Sequence, residues 1–320
     1  MGKHILPDRL MRRLLLCLLL ALPTPARADL LFVLNSGDAN IQVLDPRTGE
    51  EAAPRIPVLR EVHHLVLSPD RSLLLVGDSG GNEILFLRPA TGEVIRRERI
   101  SNPYHLDFTP DGRRLVVTSL RRNQVDIHGW DGAALTLQHR LSMPDKPSHL
   151  AFSPDGAVVF VTLQGSRGLA AIEVATGRHL WTMDVGPEPA GVLWHRGRLL
   201  VGIMGQDHVA VVDPETRRIE RTIAIGRGAH AVFLSPDGGT VWATSRVDSR
   251  ITALDATTLA VRAAWDFPGA GPDCLSFDRE GRVWATLRWT GRVVRLDPET
   301  GERRIHRVGR SPHGILWVGR

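Results

Sequence analysis

The 320-residue chain has few cysteines, few aromatic residues and no apolar segment long enough to cross a membrane. Its two cysteines, Cys17 and Cys274, form neither a C-x-x-C pair nor a haem-attachment C-x-x-C-H sequence, and no phosphate-binding loop is present. These absences exclude a disulfide-stapled scaffold, a thioredoxin-like redox site, covalently attached haem and a P-loop nucleotide site. Cys274 is therefore expected to be a buried, unreactive thiol.

The distribution of charge excludes a further class of protein. A net charge of +5 and a pI near 10.1 are typical of nucleic-acid-binding proteins. Four of the five positive charges, however, belong to the first 28 residues, and the rest of the chain is close to neutral. With 42% hydrophobic residues, that remainder has the composition of an ordinary globular protein. We expect no nucleic-acid partner.

The first 28 residues have the organisation of a secretory signal peptide. A basic start precedes an apolar run from Leu14 to Leu22, and Ala26-Arg27-Ala28 supplies a small-x-small cleavage site. The apolar run of about nine residues is well short of the roughly 20 that a membrane-spanning helix needs. The segment therefore predicts export and no membrane anchor.

Removal of the signal peptide, residues 1–28, would release a single domain. We predict cleavage before Asp29, which places residues 29–320 in the periplasm or outside the cell, and we expect this domain to be a monomer. Translation from Met11 instead of Met1 would give a more compact signal.

After the signal segment, the sequence repeats itself about every 41 residues. An S/T-P-D anchor lies between two short apolar strands at four places: Ser68-Pro69-Asp70, Thr109-Pro110-Asp111, Ser153-Pro154-Asp155 and Ser235-Pro236-Asp237. A second turn, of the D-P-x-T-G type, separates a third strand from a fourth at residues 45–49, 213–216 and 297–301. Asp accepts local backbone donors, Pro restricts φ and Gly tolerates positive φ, so both motifs predict tight turns between antiparallel strands.

Four strands per unit, with no amphipathic helix between units, predict a β-propeller. Six complete units begin near His63, Tyr104, Ser148, Ala190, His230 and Asp273. His313–Val318 then supplies one innermost strand, and Leu30–Val58 supplies three strands without one. We therefore predict an all-β, seven-bladed β-propeller of four-stranded blades, with the ring closed by pairing of the N-terminal strands with the C-terminal strand. The tryptophans that follow strand periodicity are predicted to pack between blades: Trp194, Trp242, Trp284 and Trp317.

The repeated motifs resemble those of a known family. The S-P-D-G anchor, the D-P-x-T-G turn and a strand end written V-T or A-T are similar to the repeats of the YVTN family of exported propellers, to which YncE-like proteins belong. The strand ends are Val117-Thr118, Val161-Thr162, Ala243-Thr244 and Ala285-Thr286. This resemblance covers the whole mature chain and implies the propeller fold. Its relatives include binding proteins, haem-binding propellers of periplasmic nitrite reductases and lactone-cleaving enzymes.

The last two blades carry a second resemblance. Gly281–Thr286 and Pro312–Ile315 are similar to the repeats of streptogramin lyases. That resemblance implies a divalent metal and a histidine on one face of the propeller.

Histidines are common where the innermost strands begin. The first position of these strands holds His63, Tyr104, Ser148, Ala190, His230, Asp273 and His313, and the second holds His64, His105, His149, Gly191, Ala231, Cys274 and Gly314. Because neighbouring residues of a regular strand point to opposite faces, we expect two partial sets of histidines and not one group of six. Asp107, two residues after His105, is predicted to share its face and to orient its imidazole or raise its pKa.

The loops between second and third strands are predicted to open on the same rim. They carry Arg121, Arg122, Gln164, Met204, Arg246, Arg288 and Trp289, with Asn35 and Asp78 in the two blades nearest the N-terminus. Histidine and arginine around one concave mouth suit an anionic group, since arginine offers a planar fork of donors to carboxylate or phosphate.

These residues lead to three hypotheses of function. The first is a binding or interaction module for a small anionic ligand, a cofactor or a partner protein, with binding residues His63, His64, His105, His149, His230, Asp273, His313, Arg246 and Arg288. The second is a metal-dependent lyase or lactonase in which His230 or His313 acts as general base. The third is a carrier of a haem-type cofactor held by a rim histidine and rim arginines.

A structural origin of the histidines is the alternative to all three hypotheses. Repeats arise by duplication, so one ancestral histidine copied into several blades would give the same pattern without any ligand. The sequence does not specify a metal or a set of metal ligands.

Overall fold

The computed structural model describes Met1 and residues 29–319, which form seven four-stranded sheets. The predicted signal peptide, apart from Met1, lies outside the described residues. One short 3-10 turn, Arg288–Thr290, is the only helical element in the described part of the chain. No described helix is long and apolar enough to span a membrane.

The strands are short and follow one another without long connections. In the first half of the chain they are β1 (Leu30–Asn35), β2 (Asn40–Leu44), β3 (Glu51–Pro57), β4 (Val62–Leu67), β5 (Leu74–Asp78), β6 (Glu83–Leu87), β7 (Val94–Arg99), β8 (His105–Phe108), β9 (Arg114–Ser119), β10 (Gln124–Trp130), β11 (Leu135–Ser142), β12 (Pro147–Phe152), β13 (Val158–Leu163) and β14 (Gly168–Glu173). In the second half they are β15 (Arg178–Asp184), β16 (Pro189–His195), β17 (Arg198–Ile203), β18 (His208–Asp213), β19 (Arg218–Ala224), β20 (Ala229–Leu234), β21 (Thr240–Ser245), β22 (Arg250–Asp255), β23 (Val261–Asp266), β24 (Pro272–Phe277), β25 (Val283–Leu287), β26 (Arg292–Leu296), β27 (Arg303–Arg307) and β28 (Pro312–Val318).

Each sheet is one blade of a propeller, as the repeats predict. Blades 1 to 6 are the successive groups of four strands from β4–β7 to β24–β27, and blade 7 has the strand order β28-β1-β2-β3. In blade 7, Leu30 pairs with Val318 and Leu31 with Trp317, so the two ends of the chain close the ring. Closure leaves no open sheet edge between the first and last blades.

The core lies between the blades and is built by their second and third strands. These strands are buried along most of their length, whereas the fourth strands, such as β19, are largely exposed. Trp284 and Trp242 are buried, and Trp194 and Trp317 pack half-buried against neighbouring core clusters. The prediction that the tryptophans lie between blades is confirmed.

The two repeated turns form the local hydrogen bonds expected from their residue types. In the first anchor, the Ser68 hydroxyl donates to Asp70 Oδ1 at 2.6 Å and accepts from the Leu73 amide at 2.9 Å. In the turn between β26 and β27, Asp297 Oδ1 accepts from the amides of Glu299 and Thr300, and Gly301 has φ of +73°. Asp, Ser and Gly are therefore needed here to form turns.

A threonine near the end of the second strand connects each of four blades to the next. Thr162 Oγ1 donates to the carbonyl of Ala190 in blade 4 at 2.8 Å and accepts from the His149 amide of its own blade at 3.2 Å. The same bond joins Thr118 to Ser148, Thr244 to Asp273 and Thr286 to His313. The acceptor is always the first residue of the rim series, so the bond sets where the next innermost strand begins.

Two further blades have glycine at the position of this threonine. A Cβ added to Gly202 would lie 2.4 Å from the His230 carbonyl oxygen, and one added to Gly77 would lie 3.0 Å from that of Pro103. In these blades the next strand packs directly against the glycine backbone.

We expect Thr162→Val to destabilise the fold by about 1–3 kcal/mol, because two buried backbone groups lose a hydrogen-bond partner while side-chain volume is kept. Urea unfolding of the purified domain measures this difference. Thr136→Val is the matched control, since Thr136 lies exposed on a fourth strand. Equal stability of the two variants would contradict the role assigned to Thr162.

Candidate functional site

The innermost strands begin with a bulge that turns consecutive side chains into the channel. In blade 3, Pro147 pairs with Leu163 and Leu150 pairs with Val161, so the inner strand contains one extra residue. Equivalent register shifts occur at the inner strands of blades 1, 4, 5, 6 and 7. A bulge interrupts the alternation of side chains and redirects them.

The six rim histidines form one continuous cluster. Ring centroids are 4.6 Å apart for His63 and His313, 4.2 Å for His64 and His105, 5.1 Å for His64 and His149, 5.3 Å for His149 and His230, and 6.3 Å for His230 and His313. The first and second positions line different cavities, as the prediction of two partial sets implies, but the bulges bring the two sets into contact in one channel.

Asp273 is the charged centre of this cluster and is fully buried. Its Oδ1 accepts from Arg246 Nη2 at 2.7 Å, and its Oδ2 accepts from Arg288 Nη1 at 3.0 Å. His230 Nδ1 lies 3.0 Å from Oδ1 and His313 Nε2 lies 3.7 Å from Oδ2. Neither imidazole meets the geometry of a hydrogen bond to the carboxylate. The two arginines are therefore its principal partners.

The surroundings of Asp273 keep it ionised. Burial by itself would raise the pKa of this carboxyl, but Arg246 together with His313 and His230 outweighs burial and holds the pKa well below its usual range. Asp273 is consequently ionised at neutral pH.

Burial keeps the histidines neutral. It lowers the pKa of His63 to about 3 and that of His105 and His230 to about 4, with a contribution from nearby arginines at His63 and His230. Burial also places the pKa of His64, His149 and His313 well below the usual value. Several buried ring nitrogens have no hydrogen-bond partner among the described residues: His63 Nδ1, His64 Nε2, His149 Nε2 and His230 Nε2.

The predicted pairing of Asp107 with His105 is wrong. His105 Nδ1 accepts from the Leu150 amide at 3.1 Å, so the backbone of the next blade sets the tautomer and leaves the proton on Nε2. Asp107 Oδ1 accepts from the Phe108 amide at 2.8 Å, and the pKa of His105 responds to burial alone.

The cluster separates two chambers of the channel. The mouth chamber, about 220 Å³, opens on the rim where the innermost strands begin, and it is lined by His63, Tyr104, Arg121, Gln164, Arg246 and Arg288. The turn-side chamber, about 410 Å³, lies toward the S/T-P-D turns and contains His64, His105, Asp107 and His149 above apolar walls. Four of the loop residues predicted for the rim thus share one cavity with the first-position side chains.

Of the four that line the cavity, Arg121 pairs with Glu61, which lines it too. The remaining loop residues lie outside this cavity. Met204 Sδ lies 3.5 Å from Arg246 Nη1. Trp289 is exposed, as is Arg122. Asn35 and Asp78 bond within their own blades and loops: Asn35 donates to Gln42, and Asp78 accepts from the Leu59 amide.

One set of three side chains has the composition of a metal site. Ligand atoms of Asp273, Cys274 and His313 lie within 4.8 Å of one another. The set does not suit a cation, because two guanidinium groups already neutralise Asp273, and Arg246 Nη2 also lies 3.5 Å from His313 Nε2. Burial also raises the pKa of the Cys274 thiol well above its usual value, as expected for an unreactive cysteine.

The segment Gly77–Gly81, Gly-Asp-Ser-Gly-Gly, has the G-x-S-x-G spacing of a nucleophile elbow. In the structure it forms the end of β5 and the turn to β6, not a strand-to-helix turn. The Ser79 hydroxyl donates to the Pro103 carbonyl at 2.5 Å. The segment is therefore a loop contact between blades 1 and 2.

We expect Asp273→Asn to destabilise the protein by about 3 kcal/mol, because it leaves two arginines without a counter-charge. The side chains of Arg246 and Arg288 are 16% and 25% exposed. The expected loss in free energy of unfolding is therefore at the low end of the range for breaking a buried ion pair. Urea unfolding at pH 7 measures it. Asp266→Asn, which breaks a surface pair with Arg250, is the control and should cost less than about 1 kcal/mol. Equal losses would contradict the central role of Asp273.

The neutral histidines make stability depend on pH. Between pH 6.5 and about 4 the unfolded chain binds protons that the folded histidines exclude, so the free energy of unfolding falls as pH falls. Each such histidine contributes up to about 1.4 kcal/mol per pH unit. Asp107, whose pKa burial raises to about 6, offsets part of this loss.

Urea unfolding across this pH range tests that dependence. His105→Gln should reduce the slope of the free energy of unfolding against pH by the contribution of one histidine. His179→Gln, at an exposed site, should leave this slope unchanged. An unaltered slope in His105→Gln would contradict the burial of a neutral imidazole at this position.

Solved propeller structures share this fold at low sequence identity. The dihydro-heme d1 dehydrogenase NirN in complex with DHE is 18% identical, with 91% of this chain and 77% of that chain covered and a TM-score of 0.67. A functionally unknown protein from Desulfotomaculum acetoxidans is 12% identical over 91% and 99% of the two chains, with a TM-score of 0.77. Virginiamycin B lyase from Staphylococcus aureus is 13% identical over 81% and 91%, with a TM-score of 0.67. These likenesses establish the fold alone.

The family assignment comes from the sequence itself. No curated protein sequence matches this chain. The profile of the YNCE-like beta-propeller family matches residues 16–319, a span that contains all the described strands. The chain therefore belongs to the YNCE-like beta-propeller family.

Proposed function

We propose that this protein is an exported binding module whose mouth chamber takes a small anionic ligand. The observation that carries the proposal is an excess of positive charge: Arg246 and Arg288 lie beside the single carboxylate of Asp273. Arg121, also at the mouth, has its own partner in Glu61. The neutral imidazoles add no further positive charge. The three arginines and two carboxylates therefore leave one net positive charge in the chamber for a ligand to neutralise.

Unused hydrogen-bond donors support an anion in this chamber. Arg246 Nε is buried and has no partner among the described residues. Burial raises the pKa of Tyr104 to about 12, so its hydroxyl remains protonated and is able to donate. Arginine and hydroxyl donors around one cavity suit a carboxylate or a phosphate.

The size of the chamber favours a small ligand. Its volume of about 220 Å³ is below the roughly 300–1,000 Å³ of pockets for drug-sized molecules. This favours a small anion over the macrocycle that a haem-type carrier would hold, the role suggested by the likeness to NirN.

The lyase alternative would use Asp273 and a nearby histidine in a different way. It needs His230 or His313 as a base beside a divalent ion, as the resemblance of the last two blades to streptogramin lyases implies. Both imidazoles are neutral, as a base must be, but the pairing of Asp273 with two arginines favours anion binding over metal chemistry.

Calorimetric titration with inorganic phosphate, acetate and succinate tests the proposal. At least one of these anions should bind the mature domain, and Arg288→Gln should weaken that binding about tenfold or more, because a charged donor is lost. Arg246→Gln should do the same, and thermal melting checks that both variants fold. Arg288 is partly exposed, so its variant tests the proposal even where Arg246→Gln unfolds.

Arg250→Gln is the matched control, since Arg250 also pairs with an aspartate but lies on the outer surface. It should bind the same anion as the wild type does. The proposal fails if none of the three anions binds, or if binding is unchanged in folded Arg288→Gln.

A further inference from the structure

The charged side chain that lines the turn-side chamber is acidic, whereas the mouth chamber has an excess of basic side chains. Among the described residues that line it, Asp107 is the one acidic side chain, and no arginine or lysine is present. The three histidines beside it are neutral, and the Cys274 thiol is protonated. The two ends of the channel therefore differ in sign of charge.

Asp107 lacks a cationic partner. Its single hydrogen bond among the described residues is the one from the Phe108 amide to Oδ1, and no charged neighbour contributes to its pKa. The carboxylate lines the cavity, and the Asp107 side chain is half-buried there. Its surroundings desolvate the carboxyl enough to raise its pKa to about 6. A desolvated carboxylate without a counter-charge is costly, so the site gains most from a ligand that supplies one.

Unpartnered imidazole nitrogens point to a ligand that donates hydrogen bonds, since a neutral ring with its proton on Nδ1 presents a lone pair at Nε2. His149 is 5% exposed and its Nε2 has no partner, and the same holds for the buried Nε2 of His64. Both side chains line the chamber. A nitrogen without a partner at such depth is a place that a donor from a bound molecule would fill.

The walls of the chamber are apolar. Leu65, Leu150, Val192, Val232, Leu275 and Ile315 surround the polar end. Its volume of about 410 Å³ lies within the range of small-molecule pockets. The ligand should therefore have an apolar body attached to its donor group.

A metal ion is a poorer match to the same residues. His105 carries its proton on Nε2, because Nδ1 accepts from the Leu150 amide, and is not free to ligate. Among the described residues, the set whose ligand atoms converge within 4.8 Å is Asp273, Cys274 and His313, and it does not include Asp107, His64 or His149.

We propose that the turn-side chamber binds a small organic ammonium ion with an apolar substituent. The ammonium group donates to the Asp107 carboxylate and to the unpartnered imidazole nitrogens of His64 and His149, and the substituent packs on the aliphatic walls. This site is separate from the mouth chamber and does not depend on the function proposed for it.

Titration with n-butylammonium chloride, followed by calorimetry or ligand-observed NMR, tests this site. The wild-type domain should bind it, and Asp107→Asn should weaken binding about tenfold or more, because the amide keeps the bond from Phe108 but removes the charge. Butyrate and 1-butanol, which have the same chain with an anionic or neutral head, should bind about tenfold more weakly.

Two variants serve as controls. Arg288→Gln should leave butylammonium binding unchanged, which separates this result from anion binding at the mouth. Asp266→Asn, a surface carboxylate exchanged for an amide, should also bind as the wild type does. Thermal melting verifies that each variant is folded.

Several results would overturn the proposal. These are undetectable binding of butylammonium to the wild type, equal binding by folded Asp107→Asn, or equal affinity for butyrate. Binding of zinc chloride that is lost in Asp107→Asn would also overturn it, since Asp107 would then belong to a metal site.

Discussion

The ring and its channel depend on the hydrogen bond that a threonine of one blade donates to the start of the next innermost strand. In blades 5 and 6 this bond ends on the carbonyls of Asp273 and His313, two residues of the central cluster. The contact that joins neighbouring blades thus also fixes the backbone of the candidate site. Where glycine replaces threonine, as at Gly202, direct backbone packing has the same effect.

The channel then acquires its chemistry from an unequal distribution of charge. Two arginines meet one carboxylate on the mouth side, while Asp107 lies without a cation on the turn side. Between them is a layer of buried imidazoles that desolvation keeps uncharged. Because these rings carry no charge, they separate the two chambers without neutralising the charge of either. One channel is thus able to offer a site for an anion at one end and a site for a cation at the other.

Sequence reasoning succeeded where a local pattern repeats. The S/T-P-D and D-P-x-T-G turns mark strand ends through short-range hydrogen bonds, so the number of blades, the order of strands and the closure of the ring were all predictable. The alternation rule did not foresee the contact between the two sets of histidines, because the bulge at His63 and His64 is a property of the pairing between strands. The partner of His105 was missed for a similar reason, since Leu150 belongs to the next blade.

The sequence by itself determined the architecture and the list of residues at the rim, because both follow from motifs within a single repeat. Only the tertiary structure decided that Arg246 and Arg288 pair with Asp273, that the histidines are neutral and that Asp107 lies alone in a second chamber. Charge pairing and desolvation depend on distance and burial in three dimensions. Residues from different blades, such as His63 and His313, contribute to them together although they are far apart in the chain.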